Sequence, residues 1–108
     1  MIVTEDQVSN ALMYLVNNAQ KAAKARADRI VVEEYSRVVK SQIMKEHGEL
    51  PVSAQEREAY ADPRYKQHLE AIREAVEKDE YHRFLRDAAS AKIEAWRTQS
   101  SNERAQRV

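Results

Sequence analysis

From residue 1 to His47, and again from Arg64 to Val108, the chain carries neither glycine nor proline. Its single glycine, Gly48, and its two prolines, Pro51 and Pro63, all fall between positions 48 and 63. Glycine and proline are the strongest local breakers of regular structure. Long uninterrupted elements must therefore lie on either side of one short turn region. Both flanks are rich in Ala, Glu, Lys, Arg and Gln, which are strong helix formers. The expected fold is all-α: two long antiparallel helices, a helical hairpin, with a short connecting helix.

The ends of these helices are marked. Thr4-Glu5-Asp6-Gln7 reads as a capping box, with Thr4 capping and Gln7 reaching back. Glu5 and Asp6 suit the positive end of the helix dipole. The first helix is expected over 5–47, with Gly48 as the residue that ends it. Ser53-Ala54-Gln55-Glu56 reads as a second capping box and places a short helix at 54–60. Asp62 is a good N-cap and Pro63 fits the first helical position, so the second long helix is expected over 63–97. The helical domain is thus 1–99. Beyond Arg97 apolar periodicity stops, and 100–108 is expected as a flexible tail.

The apolar residues of the first helix run Val8, Leu12, Leu15, Ala19, Ala23, Ala27, Ile30, Val31, Tyr35 and Val38. Those of the second run Tyr65, Leu69, Ile72 and Val76, then Tyr81, Leu85, Ala88, Ala89 and Trp96 after the charged Lys78-Asp79-Glu80. A first helix of about 43 residues would be about 65 Å long. A compact domain of this size has a radius of gyration of about 13 Å. Two such helices cannot enclose an ordinary core, so either the first breaks or copies associate. The expectation is a homo-oligomer forming a helical bundle, with Leu12, Leu15, Ala19, Ala23, Ala27, Leu85 and Trp96 at its interface. Alanines 22, 23, 25 and 27 offer the closest helix–helix approach.

Composition narrows the function classes. Formal charge is zero, with 18 basic and 18 acidic residues, and the two signs also balance within each half. Any nucleic-acid contact must come from a local patch. With no cysteine there is no disulfide framework or thiolate chemistry. Ala11–Val16, an apolar run near the N-terminus, is too short to span a bilayer, so no membrane partner is expected and the location is expected to be cytoplasmic.

The local patch with the best claim is a stripe on the first helix. Arg26, Arg29, Glu33, Arg37 and Lys40 step 3, 4, 4, 3 and fall within an arc of about 80°. Lys21 and Lys24 extend it, and such a stripe can follow a phosphate backbone. The competing reading is a solvated face in which Glu33 pairs with Arg29 and Arg37. A second patch sets Arg64 and Lys66 beside Tyr60 and Tyr65. Aromatic faces beside cations are what single-stranded nucleic acid uses, although tyrosines at a helix junction also pack with a wet hydroxyl tip. Trp96 reads as a packing anchor.

Enzyme readings have less behind them. His68 and His82 are separated by about 21 Å of helical rise and cannot share a metal. Carboxylates at Glu70, Glu74, Glu77 and Asp79 lack the facing Glu-x-x-His pattern of helical metal sites. One glycine excludes the usual phosphate cradles. No catalytic residue, metal or cofactor is expected, and the chain is read as a non-enzyme.

The segments Ala59-Tyr60-Ala61-Asp62-Pro63-Arg64-Tyr65, His68-Leu69-Glu70-Ala71 and Lys92-Ile93-Glu94-Ala95-Trp96-Arg97 resemble small helical proteins of tailed bacteriophages and prophages. The order of features is more distantly similar to phage recombination mediators: the run Lys24–Arg29, a tyrosine before the long second helix, and a basic C-terminal end. The chain departs from that family in its neutral charge. The resemblance implies an oligomeric accessory protein of recombination or replication in the cytoplasm of an infected bacterium. It would contact single-stranded DNA, a recombinase or a single-strand-binding protein. The alternative is a protein-interaction or structural module that binds no nucleic acid.

Overall fold

The computed structural model describes residues 2–107. It contains four helices: α1 (Glu5–Glu34), α2 (Ser36–Glu46), α3 (Val52–Ala61) and α4 (Pro63–Gln106). No strand occurs among the described residues. The architecture is an all-α helical hairpin, as the placement of the breakers dictates.

Four local features explain the element boundaries. At the start of α1 the Gln7 N–H donates to Thr4 Oγ1 (3.2 Å) and the Thr4 N–H donates to Gln7 Oε1 (3.0 Å), a complete capping box. At Tyr35 the expected 5–47 helix is interrupted. The Tyr35 carbonyl accepts from both Val38 and Val39, at 3.0 and 3.1 Å, a tightening of the turn. The β-branched residues Ile30, Val31, Val32, Val38 and Val39 surround this point and weaken helix there. Through Ala22–Ala27 the helix is continuous.

The other two boundaries lie in the connection. α3 begins at Val52 with Pro51 as its N-cap and no side-chain cap bond. Ser53 sits inside the first turn instead of capping it, because Pro51 already supplies the extended entry, and its carbonyl accepts from the Gln55 N–H at 3.0 Å. At α4 the backbone of Asp62 is extended, and its Oδ1 accepts from the Arg64 N–H at 2.8 Å, an N-cap bond.

Gly48 departs from its expected role. No glycine has a positive φ, and a Cβ built at Gly48 would meet only the Lys45 carbonyl oxygen at 3.6 Å. The helix end is made by His47, whose N–H donates to the Met44 carbonyl. Gly48→Ala is therefore expected to leave the fold intact and stabilise it by about 0.4–1 kcal/mol, through the unfolded chain's lost freedom. A drop in urea midpoint would show that this turn needs glycine.

The chain divides into two compact units, one of Met1–Ala23 with Glu80–Val108 and one of Lys24–Asp79. In the first, α1 and α4 lie antiparallel. The Val3 N–H donates to Gln99 Oε1 (3.1 Å), and Gln99 Nε2 donates back to the Val3 carbonyl (3.0 Å). Val3, Val8, Ala11 and Ala89 are buried. This anchor, with Ser100 half-buried and helix formers at 103–106, carries α4 past Arg97 to Gln106. The tail expected at 100–108 is thus helical as far as Gln106, and Val108 lies outside the described residues.

In the second unit α2 packs on α3. Ile43, 1% exposed, and Ala59, fully buried, mark that contact. Ala25 is also buried, in keeping with a close approach at the alanine run.

The buried side of α1 is not the stripe its apolar residues suggest. Buried or half-buried positions are Val8, Ala11, Tyr14, Leu15, Asn18, Ala22, Ala25, Arg29 and Val32, and apart from Tyr14 they alternate steps of 3 and 4. That is a heptad seam. Leu12, Ala19, Ala23, Ala27, Ile30 and Val31 are exposed, as are Tyr35 and Val38. Because the seam admits Asn18 and Arg29, reading by apolarity alone selects the neighbouring face.

Candidate nucleic-acid interface

Most of the candidate cations lie in the second unit, and their partners decide what they can do. Arg29 occupies a seam position and turns toward α4. Its Nε donates to Glu33 Oε1 at 2.9 Å and its Nη1 to Asp79 Oδ2 at 3.1 Å. Glu33, and then Asp79, holds the Arg29 guanidinium above its ordinary pKa. Lys24 is paired with Asp28 one turn on, at 2.7 Å. Thus two cations of the expected stripe are already engaged by carboxylates.

Lys40 is held differently. Its Nζ lies 4.9 Å from the centre of the Tyr60 ring and 3.6 Å from Glu56 Oε1. A hydrogen bond with Tyr60, and then the charge of Glu56, raises its pKa above the usual lysine range. Tyr60 meets Tyr65 edge to face, with ring centres 5.2 Å apart. The expected aromatic corner exists, with Tyr60 exposed and Tyr65 half-buried. Tyr60 is 53% exposed, so part of its side chain remains open to a stacking base.

Arg64 is the most committed cation of the set. Its Nε and Nη2 donate to the two oxygens of Asp62, at 3.0 and 2.9 Å, and its Nη1 and Nη2 both reach Glu46. A planar guanidinium forked between two carboxylates has spent its directional donors. Arg64 accordingly pulls the Asp62 carboxyl down to about 2 and holds Glu46 below its ordinary range. The cluster fixes the start of α4 to the end of α2.

Arg26, Arg37 and Lys66 are exposed and make no ion pair among the described residues. Lys21, in the first unit, is likewise exposed and unpaired there. The expected ten-residue patch therefore divides into anchored and free groups. Arg29, Lys40 and Arg64 tie helices together; Arg26, Arg37 and Lys66 are available to a phosphate. The expected interface residues divide too: Leu12, Ala19, Ala23 and Ala27 are open, whereas Leu15, Leu85 and Trp96 are half-buried.

A polar cluster in the same unit had no signal in the sequence. Ser36 Oγ and His68 Nε2 are 2.9 Å apart, and the Tyr35 ring lies 6.0 Å from the His68 ring. These residues are separated by more than thirty positions, and nothing in their spacing announces the contact. Among the described residues no group of three or more His, Cys, Asp or Glu is placed to hold a metal ion. No helix among them is long and apolar enough to cross a membrane. Compared with known proteins, the chain matches no family model, no curated protein and no solved structure.

Proposed function

We propose that this chain is a non-enzymatic association module that binds other protein helices. In the role its phage resemblance implies, it is an accessory protein of recombination or replication. The observation that carries the association reading is the open apolar face of α1, where Leu12, Met13 and Val16 are 50, 57 and 77% exposed. Contiguous apolar surface on a small protein marks a binding site more often than a solvated face. Calorimetric titration into a purified bacterial single-strand-binding protein, and separately into a strand-exchange recombinase, tests the role. Binding with a negative heat-capacity change is expected. No heat with either protein at any temperature would remove the recombination role.

A second reading, direct contact with single-stranded DNA, is favoured by the free cations Arg26, Arg37 and Lys66 and by the exposed Tyr60. Three phosphate contacts per chain give a log–log salt slope of about −2. In anisotropy titrations of labelled single-stranded DNA, the pair Arg26→Glu and Arg37→Glu is expected to weaken binding and flatten that slope. An unchanged slope in the double variant would take the free cations out of the reading. Arg29 is not a fair target, since its loss would strand Asp79.

A further inference from the structure

The first unit carries two apolar stripes that its own helix pairing leaves open. On α1, Leu12, Val16, Ala19 and Ala23 step 4, 3, 4 and are all exposed. On α4, Tyr81, Phe84, Ala88, Ala91 and Ala95 step 3, 4, 3, 4 and are all exposed. Alternating steps of 3 and 4 are the signature of a seam that packs against another helix. Each helix already spends one such seam inside the unit. The second seam on each has no occupant there.

Charge distribution says the α1 stripe is not a solvated face. Residues 7–20 contain no Lys, Arg, Asp or Glu, in a chain of which 33% is charged. Depletion of charge is what distinguishes the core of an interface from the remaining surface. The two stripes also face opposite ways. An open groove of about 260 Å³ runs beside Ala88, and beyond the seam residue Ala11 its α1 wall is Gln7, Asn10 and Tyr14. At about 100° per residue those three lie across the α1 seam from Leu12 and Val16.

We infer that the stripes are the two halves of one self-association contact, the α1 stripe of one copy packing antiparallel on the α4 stripe of a second copy. Both stripes run from large to small along the chain. Antiparallel pairing that sets Leu12 over Ala95 and Val16 over Ala91 brings Ala19 to Ala88 and Ala23 to Phe84, with Tyr81 one step beyond. Large side chains meet small ones in three of these four layers and alanine meets alanine in the other, which fills space at close axial approach. A parallel pairing would stack large on large and leave the alanines facing a gap.

Each contact is small, and each copy makes it twice. An aromatic side chain buries about 150–250 Å², and Tyr81 and Phe84 are 61 and 63% exposed. Those two side chains alone hold about 200–300 Å² of open area. With Leu12, Val16 and the alanines, the two stripes that meet in one contact supply roughly half of the about 1,600 Å² that a standard interface buries in total. Since the halves differ and face opposite sides, the contact is heterologous. It propagates from copy to copy until a ring closes or a filament grows.

The inference rests on the association reading above, and the test separates the two. It uses the full chain, Val16→Glu and Phe84→Glu, both at exposed positions, with helicity checked by circular dichroism. If either loses helicity, Val16→Ser and Phe84→Ser replace them. In light scattering over a concentration series, the wild type is expected to assemble beyond two chains. Each variant alone is expected to need at least about 30-fold more protein.

An equimolar mixture of the two variants is the decisive sample. One supplies an intact α4 stripe and the other an intact α1 stripe, so the mixture forms a complex of two chains and nothing larger. A monomeric wild type, a mixture that stays monomeric, or a variant that still assembles alone would overturn the inference. A monomeric wild type that still binds a single-strand-binding protein or a recombinase would leave the association reading standing.

Discussion

Ile43→Ala is expected to destabilise the chain by about 2–5 kcal/mol, the usual cost of cutting a buried isoleucine back to its Cβ. Among the described residues Ile43 is the largest side chain that is fully buried, at 1% exposure. It lies on α2, the helix that packs on α3, where the neighbouring helix contributes the fully buried Ala59. Few other large side chains are buried to this degree, so little else can close over the space. The loss has two parts, the transfer of the missing groups and the cavity left behind. At about 4–8 °C per kcal/mol for a domain near this size, the melting midpoint falls by tens of degrees at the upper end. Ile43→Val, which removes one methylene, is expected to cost about 0.5–1.5 kcal/mol. Chemical unfolding at fixed protein concentration checks both. A loss under about 1 kcal/mol for Ile43→Ala would mean that α2 and α3 readjust freely, and that their contact is not the core of the second unit.

Ile43 also shows which parts of this fold can be read from sequence. Helix ends made by neighbouring residues are legible, because the groups that satisfy each other lie within four positions. The Thr4–Gln7 box and the Asp62–Pro63 start of α4 are of this kind. The Ser53 box shows the limit: its residues fit the motif, but Pro51 two positions earlier opens the helix first. Gly48 is a parallel case, since a residue that can take a positive φ need not do so.

The buried face is harder to read, for a physical reason. In α1 the intramolecular seam includes Asn18, Ala22, Ala25 and Arg29, and the more apolar Leu12, Val16, Ile30 and Val31 lie beside it. Apolarity identifies faces that avoid water, and this helix has two of them. Only the three-dimensional pairing says which is closed within one chain. The candidate site follows the same logic. That Arg26, Arg29 and Arg37 share an arc is readable from their spacing. That Arg29 is tied to Asp79 across 50 positions is not, and it separates an anchor from a free cation.

His82→Leu is expected to raise stability by about 1–2 kcal/mol, an uncommon sign for a seam substitution. His82 is half-buried on α4, on the seam side that continues through Leu85 and Ala89. Its Nδ1 is shut off from solvent without a hydrogen-bond partner among the described residues. A buried polar atom left unpaired costs about 1–3 kcal/mol, and an apolar replacement removes that cost. Against the gain stands the edge-to-face contact of His82 with Tyr81, ring centres 5.6 Å apart, of a kind worth about 0.5–1.5 kcal/mol. Leucine fits the 3-4 spacing of the seam and retains most of the volume, so the balance stays favourable. Two controls isolate the cause. His82→Asn keeps a polar group in the same place and should gain nothing; His82→Ala removes the orphan atom but opens a void, and should fall below the leucine variant. All three are compared by urea unfolding at one protein concentration, since association through Tyr81 would itself shift the midpoint. If leucine lowers the midpoint, Nδ1 is satisfied by a bound water in solution, and the histidine belongs to a polar network of the seam.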